Sequence, residues 1–516
     1  MEKTPIMDRS KSTKPTMPPD ALPIWVDSTI CNQCVAFRHT FIVDSQPQYP
    51  ELLIAADTDF IVWLNGDEIA RGQFPDFPQV KDFSRIQLSE KLKSGSNSIA
   101  ILAYHLGRDI STGINQTPFM ASAIIDGTTV LTSTSTAWKA NENTGWKNGY
   151  PYLRTGQLGF TTFFDSHTLS NSWINQDFND SDWTHAVPAG LKNYRWRERP
   201  IPPCVLGNFI PAKLVKCGTF RRSKEWETPA RTLVNDQYFF TPVMPHSAGS
   251  DDGIFAIFDL GKESCGFLCF DIQTSDGAVI DYAHGEHLDD GIVRAYVGER
   301  NFADRYLASD GRNHHELFFH RCGLRYIQIN ISNIQDKRAE IISTGIKPWD
   351  YPLPTSASLT TDDCQITPAL RSVAKRTLEL CMHEHFEDCC WREQSMYAYD
   401  SRNQALYGYY LWGNYNFVRS SYQLLADTWQ YGSKYHLMSL CAPSVFSLSI
   451  PVFSLTWIIA AWENFLYSGD NSLFQNNAVM VKDILDYALN KQNPDKAKRM
   501  AREWHHSPSG WWCVAS

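Results

Sequence analysis

The sequence lacks the features that would assign it to several broad classes. No block of lysine and arginine stands out among its 47 basic residues, and the formal net charge is −9, so we expect no nucleic-acid partner. The longest apolar stretch near the end, 450–461, is interrupted by Pro451 and is too short to cross a bilayer. Residues 1–20 contain no apolar run, which excludes a secretory signal peptide there. We therefore expect no membrane partner.

Cysteines are present but form no recognisable framework. There are 13 of them, an odd number, and they are scattered along the chain. Without a signal peptide such cysteines are expected to be reduced thiols. This pattern favours a cytoplasmic location, and we expect no cofactor.

Length and composition indicate a large globular protein. A chain of 516 residues exceeds one ordinary domain, and three or four domains are expected. Aromatic residues make up 13% of the chain. Such richness fits carbohydrate binding, since the apolar C–H face of a pyranose stacks on a ring, but it also fits large β-sandwich cores.

The order of patterns along the chain predicts β structure followed by α structure. Short apolar or alternating runs separated by turn signals extend from about residue 23 to 350, and Asn65-Gly66 between two of them predicts a hairpin. Helical spacing then predicts helices at about 365–383, 401–413, 415–429, 454–467 and 472–490. Helices with no strands between them indicate an all-α domain.

The predicted domain boundaries follow these changes of pattern. They are a disordered leader (1–21), an N-terminal jelly-roll-like β-sandwich (22–205), a second β-sandwich (206–352), a helical domain (353–494) and a tail without helical or strand periodicity (495–516).

Possible chemistry is concentrated in residues 387–403. This segment holds the acids Asp388, Glu393 and Asp400 together with Arg392 and aromatic residues. A glycosidase needs a carboxylic acid that protonates the leaving oxygen and a second carboxylate that activates water or attacks carbon. Arginine cannot be deprotonated, so Arg392 suits hydrogen bonding to substrate hydroxyls or to Asp388. The alternative is structural: Asp388 and Asp400 flank predicted helices, where loops and caps need polar residues.

The run 387–394, followed by Tyr397-Ala398-Tyr399-Asp400, resembles the active-site signature of the bacterial α-L-rhamnosidases. That signature reads Asp-Cys-Pro-x-Arg-Glu, then an aromatic stretch, then Asp. Cys390 departs from it, because the family usually has proline there. Segments 56–66, 258–263, 285–288, 321–326 and 450–457 resemble other parts of the family, so the similarity extends from about residue 25 to 490.

This resemblance implies the fold and the roles of the residues. The family has an (α/α)₆ barrel of the six-hairpin glycosidases and inverts configuration, so the expected architecture is multidomain, with two β-sandwich/jelly-roll domains followed by an incomplete (α/α)₆ barrel. Glu393 is implied to be the general acid. The sugar is implied to be held by Asp388, Arg392 and Asp400, with Tyr397 or Tyr399 stacking on it.

The resemblance also leads us to expect an incomplete active site. The family's general base is a glutamate in the second half of the barrel, and only about five of twelve helices are predicted here. Glu503, in the tail, is not a credible substitute. We therefore expect a C-terminally truncated rhamnosidase with impaired hydrolysis of terminal α-L-rhamnosyl residues. Apolar helix faces that include Trp457, Ile459 and Leu466 should be partly exposed and favour oligomerisation.

Two alternatives remain open. The chain could be a non-catalytic carbohydrate-binding β-sandwich protein or an inactive gene fragment. It could also bind a metal ion through His284, Glu286 and His287, or through Cys381, His383, His385, Cys389 and Cys390. Neither spacing is that of a recognised zinc site, so we expect no metal. The expected partner is a rhamnose-containing glycoside or oligosaccharide.

Overall fold

The structure, a computed structural model, describes residues 16–169, 171–335, 338–356, 366–432, 436–446 and 448–490. The predicted tail with Glu503, and most of the predicted leader, lie outside these residues. The end of the leader belongs to the fold instead, because Met17 and Ala21 are buried in a core cluster with Leu53 and Phe83.

The N-terminal region contains two antiparallel sheets that pack face to face. The seven-stranded sheet has the order Val187–Pro188, Ile24–Trp25, Met120–Asp126, Pro50–Ala56, Val80–Gln87 and Arg195–Glu198, with Thr129–Ser133 beside Met120–Asp126. The last pairing, of Arg195–Glu198 with Val80–Gln87, is parallel. The six-stranded sheet has the order Thr184–His185, Lys139–Asn141, Gln33–Val43, Gly95–His105, Asp59–Leu64 and Asp67–Arg71.

A larger sheet follows in the sequence. Its eleven strands include, in order, Phe163–Asp165, Ala303–Leu307, Val279–Gly285, Cys322–Ser332, Gly253–Thr274, Lys213–Arg221 and Gln237–Thr241. Gly311–Glu316 and Glu340–Asp350 also pair with Gly253–Thr274, and Val205–Leu206 and Ile210–Pro211 pair with Glu340–Asp350. Small ribbons are formed by Leu153–Thr155 with Gly159–Phe160, Leu288–Asp289 with Ile292–Val293, and Tyr296–Val297 with Arg300–Asn301.

The six-stranded sheet is buried on both faces. From the strand Asp59–Leu64, Phe60, Val62 and Leu64 enter the core shared with the seven-stranded sheet, whereas Ile61 and Trp63 enter the core shared with the eleven-stranded sheet. A strand that is buried on both faces carries apolar side chains on both faces. This explains why the run 99–104 is continuously apolar rather than alternating.

One strand of the eleven-stranded sheet comes from an earlier part of the chain than the others. Phe163–Asp165 lies inside the predicted first domain, yet it pairs in parallel with Ala303–Leu307 of the eleven-stranded sheet. The Asn65-Gly66 hairpin is confirmed: both residues have positive φ values, 54° and 92°, and they join two paired strands.

Apart from one short helix, the described helices follow the sheets in the chain. That helix, α1 (Pro229–Leu233), lies between two strands of the eleven-stranded sheet. The later helices are α2 (Ile366–Glu379), α3 (Ala398–Leu411), α4 (Tyr415–Asp427), α5 (Pro451–Ser468), α6 (Ser472–Asn476) and α7 (Ala478–Asn490). Asn171–Ile174 is a 3₁₀ turn and Thr428–Gly432 a π turn. The order of β structure followed by α structure is thus confirmed.

One predicted helix is divided in two. Residues 472–490 were expected to form a single helix, but α6 ends at Asn476 and α7 begins at Ala478. Asn477 lies between them with its side chain buried, and its Nδ2 donates to Gln423 Oε1 and to Leu473 O. The break thus coincides with a tertiary hydrogen bond to Gln423, which hydrophobic periodicity does not detect.

The helices pack on the β region as well as on one another. Their core includes Phe74, Phe267 and Trp349 from the sheets. Trp457, expected to be partly exposed, is instead fully buried and donates its Nε1 hydrogen bond to Tyr422 O, while Ile459 and Leu466 are 52% and 61% exposed.

None of the described helices combines the length and apolar composition of a membrane span. The eleven described cysteines are all free thiols.

Candidate active site

The acidic segment lies in an irregular connection between α2 and α3. Two hydrogen bonds between Asp388 and Ser395 join the ends of a loop in this connection. The Asp388 N–H donates to Ser395 O, and Asp388 Oδ1 accepts from Ser395 N, both at 2.9 Å. Met396–Tyr397 then pairs with Cys441–Ala442, and α3 begins at Ala398 with Asp400 in its first turn. The segment is therefore fixed at both ends.

The inner side of the segment is held by a buried ion pair. Arg321, which directly precedes the strand Cys322–Ser332, makes a two-pronged contact with the Glu387 carboxylate, and Nη1 lies 3.0 Å from Oε2. Glu387 Oε1 also lies 3.1 Å from His383 Nδ1. A second tie runs from Gln394 Nε2 to Arg321 O at 3.1 Å. Arg321 thus contacts both Glu387 and Gln394, the two ends of residues 387–394.

The electrostatics of this cluster are those of a buried salt bridge. Burial raises the pKa of Glu387, but Arg321 and His383 outweigh it and lower the pKa to about 2. Burial and Arg321 lower the pKa of His383, yet Glu387 and Cys265 raise it overall to about 9. Glu387 is therefore ionised and His383 protonated at neutral pH.

The outer side of the segment gathers the predicted catalytic groups. Glu393 is half-buried, its Oε2 accepts a hydrogen bond from the Tyr397 hydroxyl at 2.8 Å, and its Oε1 lies 4.0 Å from Arg300 Nη2. Burial raises the pKa of Asp388 to about 6, and the charge of Glu393 adds to the rise. The pKa of Asp400 is raised by burial and by Glu393 as well. These carboxyls therefore share one electrostatic environment.

Two of the predicted sugar-binding residues are exposed. Arg392 is exposed, and its charge acts on Glu286, where it opposes the rise of the pKa that burial causes. Tyr399 is 48% exposed and lies near Arg402, which is paired with Glu463.

Trp391 anchors the segment and is not exposed to a ligand. Its ring is 4% exposed and lies 4.7 Å from the ring of Phe302 and 5.7 Å from that of His287. The polar segment 285–306 is therefore a domain contact that also brings Arg300 to Glu393. Sequence analysis did not assign Arg300, although the dense polar composition of 285–306 was a signal.

The two alternative metal-binding sets do not converge in the described part of the chain. His284 Nε2 lies 3.2 Å from Arg154 Nη1, and His287 Nε2 lies 3.2 Å from Arg294 Nη1, so each histidine faces a cation. In the second set, His383 is engaged by Glu387. Among the described residues, the group with ligand atoms close enough for an ion is Glu263, Glu286 and Cys390, within 4.8 Å of one another.

Comparisons with known proteins identify two domains. The family model of the bacterial alpha-L-rhamnosidase concanavalin-like domain matches residues 252–347. The model of the bacterial alpha-L-rhamnosidase six-hairpin glycosidase domain matches residues 355–512. No curated protein sequence matches this chain.

Solved structures share the fold at low sequence identity. The GH78 family rhamnosidase of Bacillus sp. GL1 has a TM-score of 0.83 at 17% identity, over 92% of this chain and 70% of that one. The alpha-L-rhamnosidase from Dictyoglumus thermophilum has 0.69 at 16%, over 92% and 52%. The Streptomyces avermitilis alpha-L-rhamnosidase complexed with L-rhamnose has 0.68 at 16%, over 89% and 42%. The chain thus spans about half, or less, of the length of the last two.

Substitution of Gly323 should disturb the acidic segment directly. A Cβ atom on Gly323 would lie 2.3 Å from the backbone oxygen of Cys390, which cannot rotate away. We expect Gly323→Ala to lower the free energy of unfolding by about 1–3 kcal/mol, measured by urea denaturation. Gly408→Ala is the control, since nothing lies within 4 Å of a Cβ there, and alanine in a helix should stabilise by up to about 1 kcal/mol. Equal effects of the two variants would contradict the close contact.

The buried cluster should make stability depend on pH in both directions. The lowered pKa of Glu387 contributes stability above its ordinary value of 4.5, and this is lost as the pH falls through about 2. The raised pKa of His383 contributes below its ordinary value of 6.5, and this is lost as the pH rises through about 9.

We therefore expect the cluster to contribute most between about pH 4.5 and 6.5, measured as the free energy of unfolding in urea across pH. In Glu387→Gln the acid loss should shrink, and in His383→Gln the alkaline loss should shrink. A pH profile that both variants leave unchanged would rule out this origin.

Proposed function

We propose that this chain, which carries two domains of the bacterial α-L-rhamnosidases, binds terminal α-L-rhamnosyl groups and protonates the glycosidic oxygen with Glu393. The grouping of Glu393, Asp388, Asp400 and Tyr397 on the outer side of one anchored segment is the observation that carries the proposal. The L-rhamnose complex of the Streptomyces avermitilis relative supports the choice of sugar.

Glu393 is suited to be the proton donor by its position. It is half-buried at the open side of the segment, whereas Asp388 is committed to Ser395 N and Asp400 lies in the first turn of α3. The Tyr397 hydroxyl fixes the orientation of the Glu393 carboxyl, so the other oxygen can face the leaving group. A general acid positioned in this way typically contributes a factor of about 10²–10⁴ to the rate.

The remaining groups are proposed to hold the sugar. Asp388 and Asp400 would accept hydrogen bonds from ring hydroxyls. Arg392, exposed beside Glu286, would donate to a hydroxyl once a ligand is present. Tyr397 is proposed as the ring that contacts the sugar, with Tyr399 at the edge of the site. No metal or cofactor is part of this proposal.

An inverting mechanism fits this arrangement, in which a second carboxylate activates water on the opposite face of the sugar. The two other carboxyls at the site are assigned to the sugar here, so no described residue is assigned as the base. We therefore expect the chain to bind rhamnosides but to hydrolyse them slowly. Binding without turnover would favour the alternative of a non-catalytic carbohydrate-binding protein.

The proposed architecture goes with this function. The two N-terminal sheets form a jelly-roll-like sandwich at about 22–205, the eleven-stranded sheet dominates 206–352, and the helices of 353–494 are proposed as part of an (α/α)₆ barrel. The layered cores between the sheets and the six-hairpin match support this division.

The role of Glu393 can be tested by the dependence on the leaving group. We expect Glu393→Gln to lower kcat/KM by about 10²–10⁴ for an alkyl α-L-rhamnoside, and by less for p-nitrophenyl α-L-rhamnoside, whose phenolate needs little protonation. Glu379→Gln, a carboxylate on α2 paired with Lys375, should leave both values unchanged. An equal loss for both substrates would exclude proton donation by Glu393.

Binding of the sugar should depend on the ionisation of Asp388. Because burial and Glu393 raise the pKa of this group to about 6, protonation below that pH removes its charge and converts one acceptor oxygen into an O–H donor. We expect the affinity for L-rhamnose, measured by calorimetry, to fall about tenfold per pH unit below pH 6.

Two variants identify the group responsible for this fall. Glu393→Gln removes the neighbouring charge and should move the fall to lower pH, while Asp400→Asn should keep it near pH 6. A fall that stays at the same pH in Glu393→Gln would assign it to another group.

A further inference from the structure

A second concave site lies between the six-stranded and the eleven-stranded sheets. It encloses about 370 Å³, and its walls are formed largely by aromatic rings: Trp63, Trp146, Phe164, Trp173, Tyr306 and Phe318. We call it the aromatic cleft. Its volume falls within the range of about 300–1,000 Å³ that ligand sites occupy. None of its lining residues belongs to the acidic segment.

We propose that the aromatic cleft binds a neutral saccharide of one or two pyranose units, at a site separate from the one that contains Glu393. This proposal goes beyond the proposed hydrolysis, because binding in the cleft requires no catalytic group.

The walls of the cleft are rigid and suited to stacking. Trp63 packs edge-on against Trp173 with ring centroids 5.4 Å apart, and Trp146 packs edge-on against Phe164 at 5.1 Å. Each of the three tryptophans is more than nine-tenths buried, so little side-chain freedom remains to be lost on binding. Fixed aromatic walls with a few polar groups are the usual composition of small-molecule sites. The apolar C–H faces of a pyranose match such walls.

The charges in the cleft are already compensated. Glu68 and Glu316 both bind Arg71, at 2.6 and 2.7 Å, and Lys347 also contacts Glu316. Arg312, at the rim, holds Asp271 through two nitrogens. An anionic or cationic ligand would have to compete with these ion pairs, so the charge balance favours a neutral ligand.

Polar groups remain for the hydroxyls of a sugar. Ser166 and Ser309 line the cleft and are partly exposed. His314 also lines it and is exposed. A sugar hydroxyl both donates and accepts, so it can bond to these groups.

The experiment uses the full chain with its acidic site disabled by Asp388→Asn and Glu393→Gln. In this background, methyl α-L-rhamnoside, methyl β-D-galactoside and methyl β-D-glucoside are titrated by calorimetry and by tryptophan fluorescence. We expect at least one of them to bind with one-to-one stoichiometry and to change the fluorescence.

Added to the background, Trp173→Ala should weaken binding by tenfold or more, and His314→Ala by about threefold. Trp462→Ala is the matched control, because Trp462 is 51% exposed on α5. If Trp173→Ala does not fold, the exposed His314→Ala carries the test.

Absence of binding by all three glycosides in the background would overturn the proposal, as would binding that none of the cleft variants weakens. Tighter binding of a methyl glucuronide than of the neutral glycosides would overturn its neutrality. Because the acidic site is disabled throughout, a failure here leaves the proposed hydrolysis untouched, and the reverse also holds.

Discussion

The contact between Arg321 and Glu387 determines where the acidic segment lies. Two charges removed from water are costly unless they are paired with good geometry, and here Arg321 makes two contacts with Glu387 while His383 makes a third. The backbone oxygen of Arg321 also accepts from Gln394. Since residues 387–395 have no regular secondary structure of their own, their shape follows from their contacts with Arg321, at the start of the strand Cys322–Ser332. The eleven-stranded sheet therefore helps to fix the shape of the candidate site.

This constraint divides the acidic segment into two functional faces. Glu387 and Trp391 face inward, to Arg321 and Phe302, whereas Glu393 and Tyr397 face outward. Composition alone treats these residues as one polar and aromatic run. The contacts with Arg321 and Phe302, which lie 60 to 90 positions earlier in the chain, distinguish the two glutamates. Glu387 is used in a buried ion pair, whereas Glu393 remains on the open side.

Much of the fold could be predicted from local patterns. The β-to-α order, the Asn65-Gly66 hairpin and the positions of α3, α4 and α5 follow from periodicity and turn residues. Long-range pairing left no such signal: Phe163–Asp165 joins a sheet formed mainly by residues after 210, and Asn477 divides a helix through its contact with Gln423. The residues of the candidate site were predicted because their order in the chain resembles a family signature, and their roles stay a prediction. Arg300 was not, because its position depends on how two domains meet.

The central six-stranded sheet connects these observations. Because both of its faces are buried, Ile61 and Trp63 are available to form a second core with the eleven-stranded sheet, and the aromatic cleft opens at the margin of that core. Phe318 in the cleft and the anchor Arg321 are three residues apart, so their Cα atoms are separated by at most about 11 Å. The segment 318–321 therefore belongs to both sites. Both sites thus depend on the connection between the strands Gly311–Glu316 and Cys322–Ser332, which supplies Phe318 to the one and Arg321 to the other.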